Sequence, residues 1–358
     1  MNRHHYGLIL AGGRGTRFWP LSRKRSAKQV LNVVGERSLI QGTVDRLAPV
    51  IPPERVWILT NDHLRDVIVR QLPEIPRRQI LAEPAQRNTA PAIGLAAQIL
   101  QSLDPDAVMG VFPADHVVSK ESAYRSVVRA ALKGASSGNL MLVGIQPRWP
   151  ETGYGYVEFP PGTSPGSNAP QEVLRFHEKP VLAKAKRYLA AGNYYWNSGM
   201  FFWRTDVLLD QLRHHLPKTA TVLAALPPFR SRQFTDRLAK AFPLCDNISI
   251  DFAVLEKAAK VAGIAAGDFG WNDVGSWNAI YELMGRDGCG NVVANDSVCL
   301  EAHDNFVDAR GKMVALLGVK DLIVVDTPDA LLVTTRDRAQ QVGDIVKVLE
   351  KSNRHDLL

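Results

Sequence analysis

The stretch Leu8-Ile9-Leu10-Ala11-Gly12-Gly13-Arg14-Gly15-Thr16-Arg17 sets a glycine-rich turn directly behind a run of apolar residues. A buried strand ending in such a turn offers clustered backbone N–H groups to phosphate oxygens. Arg14, Arg17, Arg23, Lys24, Arg25 and Lys28 lie in the same region, and no acidic residue occurs between Leu8 and Gly35. Peptide N–H groups and cations of one sign suit a polyanion such as a nucleoside triphosphate. Two familiar phosphate loops do not fit. A Walker A loop needs Lys-Ser or Lys-Thr after its last glycine, and none is present. A dinucleotide fingerprint starting at Gly13 needs a small residue where Phe18 stands.

Carboxylates further along supply the complement. Asp115, in Phe112-Pro113-Ala114-Asp115-His116, follows an apolar run, at the strand end where open α/β sheets bind ligands. Asp273 sits in Gly270-Trp271-Asn272-Asp273-Val274-Gly275, and Glu178-Lys179 pairs an acid with an ammonium. No nucleophile elbow or Ser-His-Asp arrangement is evident, so the chemistry points to cations and positioning. Asp115 read alone is as easily a turn residue as a ligand. His4-His5 reads as a disordered terminus, His214-His215 as a helix surface, and Trp196 and Trp203 as core.

Taken as one string, Gly12–Leu21 with Lys28-Gln29 resembles the signature of the sugar-phosphate nucleotidyltransferases. The resemblance implies that Leu10, Ala11, Gly12, Gly13, Gly15 and Thr16 wrap a nucleoside triphosphate while Arg17 and Lys28 neutralise its phosphates. Further blocks agree in order. Glu83-Pro84-Ala85-Gln86-Arg87-Asn88-Thr89-Ala90-Pro91 resembles the segment that mannose-type members place around guanine, which assigns Glu83, Pro84, Asn88 and Thr89, with Ala114, to the nucleotide. Glu151–Tyr156 looks like the sugar-side loop, carrying Tyr154 and Gly155. Glu178 is implied for sugar hydroxyls, Lys179 for the sugar phosphate, and Asn197 of Asn197-Ser198-Gly199 for a further sugar contact. Gly270–Trp277 resembles the block bearing the second metal carboxylate, so Asp115 and Asp273 together would hold Mg²⁺, for which Mn²⁺ could substitute. Departures are small: Val30 stands where an aromatic residue is commoner, and Asn272 where Ser is commoner.

The reaction implied by the resemblance is transfer of GMP from GTP to mannose 1-phosphate, giving GDP-mannose and pyrophosphate. This is chemically self-consistent. A sugar 1-phosphate is already an anion and needs no general base. The barrier is the meeting of two polyanions and the departure of a more charged leaving group, which cations and alignment lower. The alternatives are the same fold with a heptose or glucose 1-phosphate or another nucleotide, and a non-catalytic subunit that only binds nucleotide-sugar. Loss of Arg17, Lys28, Asp115 or Asp273 would mark the latter, and all four are present. A nucleic-acid partner, suggested by Arg23-Lys24-Arg25, lacks the interleaved aromatic residues or recognition helix it would need.

The elements that must carry these residues read as alternating strands and helices. Tyr6–Ala11, Arg55–Thr60, Ala107–Phe112 and Leu140–Ile145 read as buried strands. Ala90–Leu103 and Ser122–Gly134 read as helices, the first capped at Asn88-Thr89, and Asp251–Lys260 as a short helix. Tyr154–Phe159 and Glu172–His177 should pair across the Pro-, Gly- and Ser-rich loop Pro160–Pro170. The predicted fold is α/β, a Rossmann-like, mostly parallel mixed sheet flanked by helices, over residues 1–285. From 286 to 358 short apolar runs at close spacing predict a small β-rich domain closed by a helix near Asp337–Lys351. In the family resembled here, this region is a left-handed β-helix. At 358 residues, with 46% hydrophobic and 22% charged, the chain has the composition of a soluble globular protein, and its +7 net charge fits an anionic substrate. Cys245, Cys289 and Cys299 are odd in number and lack C-x-x-C spacing, which argues against disulfides and a zinc site. With no membrane-length apolar run the expectation is a cytoplasmic homodimer without a membrane partner. The cupin-like isomerase domain of larger family members is expected to be missing.

Overall fold

The N-terminal apolar run forms the strand His5–Leu10, which lies inside a ten-stranded sheet. The computed structural model describes residues 2–293 and 296–358. Across the sheet the order is Ile80–Ala82, Val56–Thr60, His5–Leu10, Val108–Pro113, Tyr194–Arg204, Leu140–Ile145, Val261–Ala266 and Pro170–Glu172. The first four run parallel, in the 3-2-1-4 order that leaves a crevice at their C-terminal ends where the order reverses. Tyr194–Arg204 is antiparallel to both its neighbours, Val108–Pro113 and Leu140–Ile145, and makes the sheet mixed. Tyr156–Glu158 pairs with Arg175–His177, as expected, and with the start of Tyr194–Arg204.

Successive residues of a buried strand serve opposite faces, and here adjacent side chains join different cores. Ile9 packs with residues of the helices Leu39–Leu47, Asp62–Gln71 and Glu121–Ser136. Leu8 packs with Thr89–Leu103 and Thr205–His215 on the other face. Helices on both faces explain why the strands read as unbroken apolar runs. Trp196 and Trp203 are fully buried, and His214-His215 ends a helix at the surface, as expected.

Two local expectations need correction. Asp251–Lys260 is not an α-helix: only Asp251–Leu255 coils, as a single π turn. His4-His5 is ordered, because His5 starts the first strand and His4 Nδ1 lies 2.9 Å from the Asp104 carboxylate.

Beyond the helix Trp277–Leu283 the chain winds in parallel rungs, a β-helix-like domain. Val292 aligns with Phe306 and Phe306 with Ile323, while Ser297–Leu300 aligns with Val314–Leu317. Two buried asparagines fasten the corners. Asn291 Nδ2 donates to Ala302 O, and Asn305 Nδ2 donates to Val319 O and Asn291 Oδ1. The closing segment is a 3-10 turn, Arg336–Gln341, followed by the α-helix Val342–Lys351. This domain is not a separate bead. Val292, Phe306, Ile323, Val342 and Val346 share one apolar cluster with Phe18, Trp19, Trp277 and Tyr281.

Candidate active site

A cavity of about 810 Å³ opens at the C-terminal edge of the parallel strands. Strand His5–Leu10 delivers Leu10, Ala11, Gly12, Gly13 and Arg14 to its wall. The turn is held from behind. Gln29 Nε2 donates to Ala11 O at 2.7 Å and to Gly13 O at 3.0 Å, and Thr60 Oγ1 donates to Ala11 O at 3.0 Å. With these carbonyls drawn back, the loop is free to turn N–H groups toward a ligand. Gly15 has φ +60, and a Cβ there would lie 2.5 Å from Lys28 Cβ, so the close approach of Lys28 requires glycine. Gly15, Thr16 and Arg17 turn away into the 3-10 turn Thr16–Phe18, and Arg17 is exposed outside the cavity wall.

Lys28 is buried beneath the floor. Its Nζ sits 2.9 Å from Asp115 Oδ2 and donates to Asp273 O at 2.7 Å. The two aspartates expected to share a metal are thus already gathered around one cation. Burial pushes the Asp115 carboxyl up, but the Lys28 ammonium together with its other neighbours holds it below the usual carboxylate range. Asp273 stays above that range: burial and the Asp115 charge raise it against the pull of Tyr154 and Lys28. Tyr154 Oη donates to Asp273 Oδ1 at 2.5 Å. Val274 beside it has φ 49, a costly conformation for a β-branched residue, and Asn272 Oδ1 accepts its N–H at 2.7 Å. Asn272, where Ser is commoner, therefore has a local task in the strained turn that aims Asp273. His116 is pushed down to about 4 by burial, and as a neutral ring it accepts the Trp271 indole N–H at Nδ1, 3.1 Å away.

Glu83, Asn88, Thr89 and Ala114 all line the cavity. Pro84 follows Glu83 without facing the cavity. Burial pushes Glu83 up to about 8. Asn88 caps the helix Thr89–Leu103, its side chain accepting the Thr89 N–H. Tyr154, Gly155, Glu178, Lys179 and Asn197 line it too. A Cβ on Gly155 would meet Glu178 Oε2 at 2.5 Å, so the glycine admits the acid to the cavity. Lys179 forms an ion pair with Glu178.

Sequence reasoning missed several lining groups: Asn61, Gln86, Arg87, Asn247 and Asp251. Asn61 had a usable signal, a polar residue just after a strand read as buried. Gln86 and Arg87 lie inside the Glu83–Pro91 block that the sequence singles out, while Asn247 and Asp251 had no signal, since only the fold brings them here. A separate cluster, His4, Asp104 and Asp106, also has ligand atoms close enough for a cation. It lies at the N-terminal edge of the sheet, away from the cavity, and Asp104 is already bonded to His4, Tyr6 and the Asp106 N–H. Cys245, Cys289 and Cys299 are free thiols.

The nucleotidyl transferase family matches residues 6–287, and the MannoseP isomerase/GMP-like beta-helix domain matches residues 295–349. The xanthan biosynthesis protein XanB of Xanthomonas campestris pv. campestris (strain B100) is 40% identical over 353 residues, 98% of this chain and 74% of that protein. A mannose-1-phosphate guanylyltransferase of Escherichia coli (strain K12) is 38% identical over 362 residues, again 98% and 74%. A solved structure from Thermus thermophilus, described as a mannose-1-phosphate geranyltransferase, superposes with a TM-score of 0.86 at 34% identity, covering 97% of this chain and 99% of that one.

Proposed function

The chain belongs to the nucleotidyl transferase family, and on that premise we propose that it transfers GMP from GTP to mannose 1-phosphate, releasing pyrophosphate and GDP-mannose. The observation that carries this reading is one cavity lined together by Glu83, Asn88 and Thr89, by Glu178, Lys179 and Asn197, and by the glycine loop with Asp115 and Asp273.

At the base end, an ionised Glu83 accepts both the N1–H and N2–H of guanine. Adenine turns a lone pair toward the same oxygens. At the sugar end, the Lys179 ammonium meets the sugar phosphate once it leaves Glu178. Lys28 fixes Asp115 and the Asp273 backbone, so both carboxylates are aimed before substrates arrive. Tyr154 holds one Asp273 oxygen and thereby its rotamer. Arg14, on the wall, supplies a cation where the triphosphate lies. Hard oxygen donors around a spot that already attracts an ammonium fit Mg²⁺ or Mn²⁺, with Asp115 and Asp273 as the protein ligands. The ion, when bound, stabilises charge on the departing pyrophosphate. Arg17 lies outside the cavity wall, so its assigned contact with the triphosphate requires the 3-10 turn to shift toward the cavity.

Pyrophosphate release from the purified chain with each of GTP, ATP, UTP and CTP, against mannose, glucose and heptose 1-phosphates, tests the reading. GTP with mannose 1-phosphate should give the highest kcat/KM. Equal or better turnover with UTP or ATP would sink the assignment. A homodimer in the cytoplasm completes this reading, checked by light scattering and cell fractionation. Among the described residues, no helix is long and apolar enough to cross a membrane.

A further inference from the structure

Asp251 faces the cavity from a segment that no motif singles out. It heads the π turn Asp251–Leu255, an element that occurs mostly as single turns at functional sites. Two anchors fix the turn. The Thr89 hydroxyl accepts the Ile250 N–H at 2.9 Å, and the Ala90 N–H donates to Ile248 O at 3.1 Å, so the first turn of the nucleotide-side helix carries this segment. On the other side, Asn197 Nδ2 donates to Asp251 Oδ1 at 2.9 Å. Asp251 therefore spans from the Thr89 segment to the Asn197 bulge and lies within electrostatic reach of Glu178.

Two carboxyls, Glu178 and Asp251, thus line the cavity close enough for their charges to act on each other. The Lys179 ammonium pairs directly with Glu178 and reaches Asp251 only through its charge. Asp251 keeps one oxygen bonded to Asn197, and no other side chain donates to it among the described residues. Burial with the neighbouring Glu178 charge pushes the half-buried Asp251 up to about 6, against the hydrogen bonds from its own backbone and Asn197. A ligand that presents two hydroxyl donors side by side relieves both acids at once.

We propose that Asp251 is a substrate-contacting residue that, opposite Glu178, accepts a hydroxyl of the hexose ring, the two acids dividing a vicinal diol between them. The assignment rests on the sugar 1-phosphate reading given above. It makes Asp251 a determinant of which sugar is accepted, because a ring with that hydroxyl missing or inverted leaves a buried acceptor unmet. It also explains why the segment is tied to Thr89. The sugar contact and the nucleotide segment are built on one short stretch of backbone, so their spacing is set by the fold.

The test uses the full chain with GTP and mannose 1-phosphate, alongside its 2-, 3-, 4- and 6-deoxy analogues. The wild type should lose at least about thirtyfold in kcat/KM with one or two adjacent deoxy sugars. Asp251→Asn should raise KM for mannose 1-phosphate about tenfold or more and leave KM for GTP within twofold. It should also treat one of those deoxy sugars nearly as well as the parent, which a purely structural role would not produce. Asp251→Glu, which keeps the charge but moves it, should show the same KM split if the asparagine variant does not fold. A change below twofold in the sugar KM overturns the proposal, as does an equal penalty on every deoxy analogue in variant and wild type alike. Should the wild type use a different sugar 1-phosphate, the mannose reading fails while the same comparison with that sugar still decides Asp251. Turnover of no sugar 1-phosphate defeats both.

Discussion

Lys28 holds Asp115 through its carboxylate and Asp273 through its carbonyl, so the charges of the two acids are not equivalent. Asp273 keeps a carboxyl raised by burial, and a bound cation would lower it. Replacing Asp273 by Asn keeps its size and removes the charge that would meet the metal. We expect kcat to fall about a hundredfold, near 3 kcal/mol of barrier, with Tm little changed. Asp115→Asn should act in the same direction, and the double variant should be less than additive if one ion serves both. Activity abolished by EDTA and restored by Mg²⁺ or Mn²⁺ completes the check; activity unaffected by the chelator would remove the metal from the mechanism. Glu83 gives a pH prediction of defined sign. Its carboxyl rises from 4.5 to about 8 on folding, so the folded state keeps a proton that the unfolded state has lost. Stability is therefore highest below about 4.5 and declines as pH rises through about 8, and Glu83→Gln should melt higher than wild type at pH 9 and alike at pH 4.5. If guanine needs the ionised acid, GTP binding must release a proton below pH 8. Titration calorimetry in two buffers reads that release directly, and Glu83→Gln should abolish it.

At the scale of elements, the glycine loop was legible because its chemistry is contiguous: strand, turn and cations occupy one short string. Gly15 makes this testable. Alanine there must adopt φ +60 and press on Lys28, whereas a Cβ on Gly13 meets nothing within 4 Å. Gly15→Ala should cost about 1–3 kcal/mol and lower Tm by differential scanning fluorimetry, while Gly13→Ala should leave Tm close to wild type. Equal melting of the two would mean that the loop is not held by Lys28. The strand Tyr194–Arg204 was not legible, although Asn197-Ser198-Gly199 within it was. Its eleven residues do not alternate, and its pairing with Leu140–Ile145 shifts register between Asn197 and Phe201. A bulge of this kind re-aims side chains next to active sites, and here it turns the Asn-Ser-Gly triplet into the cavity. The irregularity that hid the strand is what makes the site. Asp251 was illegible for a related reason. A five-residue π turn has no periodicity to read, and its partners Asn197 and Thr89 are distant in sequence.

Across the whole molecule, the C-terminal domain reaches the glycine loop by several routes. Phe18 and Trp19 follow the glycine turn and pack with Trp277, Val342 and Val346, and Trp277 Nε1 donates to Trp19 O at 3.1 Å. A Cβ added at Gly343 would lie 3.4 Å from the Thr16 hydroxyl. Arg14 Nη2 pairs with Glu350 Oε1 at 2.6 Å, though both side chains are more than a third exposed. An apolar wedge and an exposed ion pair should differ in weight. The solvent-screened ion pair contributes little, while trimming a buried aliphatic residue costs about 1–2 kcal/mol. Deleting residues 291–358 should therefore damage stability, yet it should not spare nucleotide binding, since the far side of the loop would lose its support. A milder variant separates the two effects. Val346→Ala should lower Tm by several degrees and raise KM for GTP about threefold, because the 3-10 turn bearing Arg17 loses its backing, while KM for mannose 1-phosphate stays unchanged. Glu350→Gln should leave Tm nearly unaltered. A fall in Tm for Val346→Ala with both KM values unchanged would show that the tail only stabilises, and that the loop keeps its shape without it.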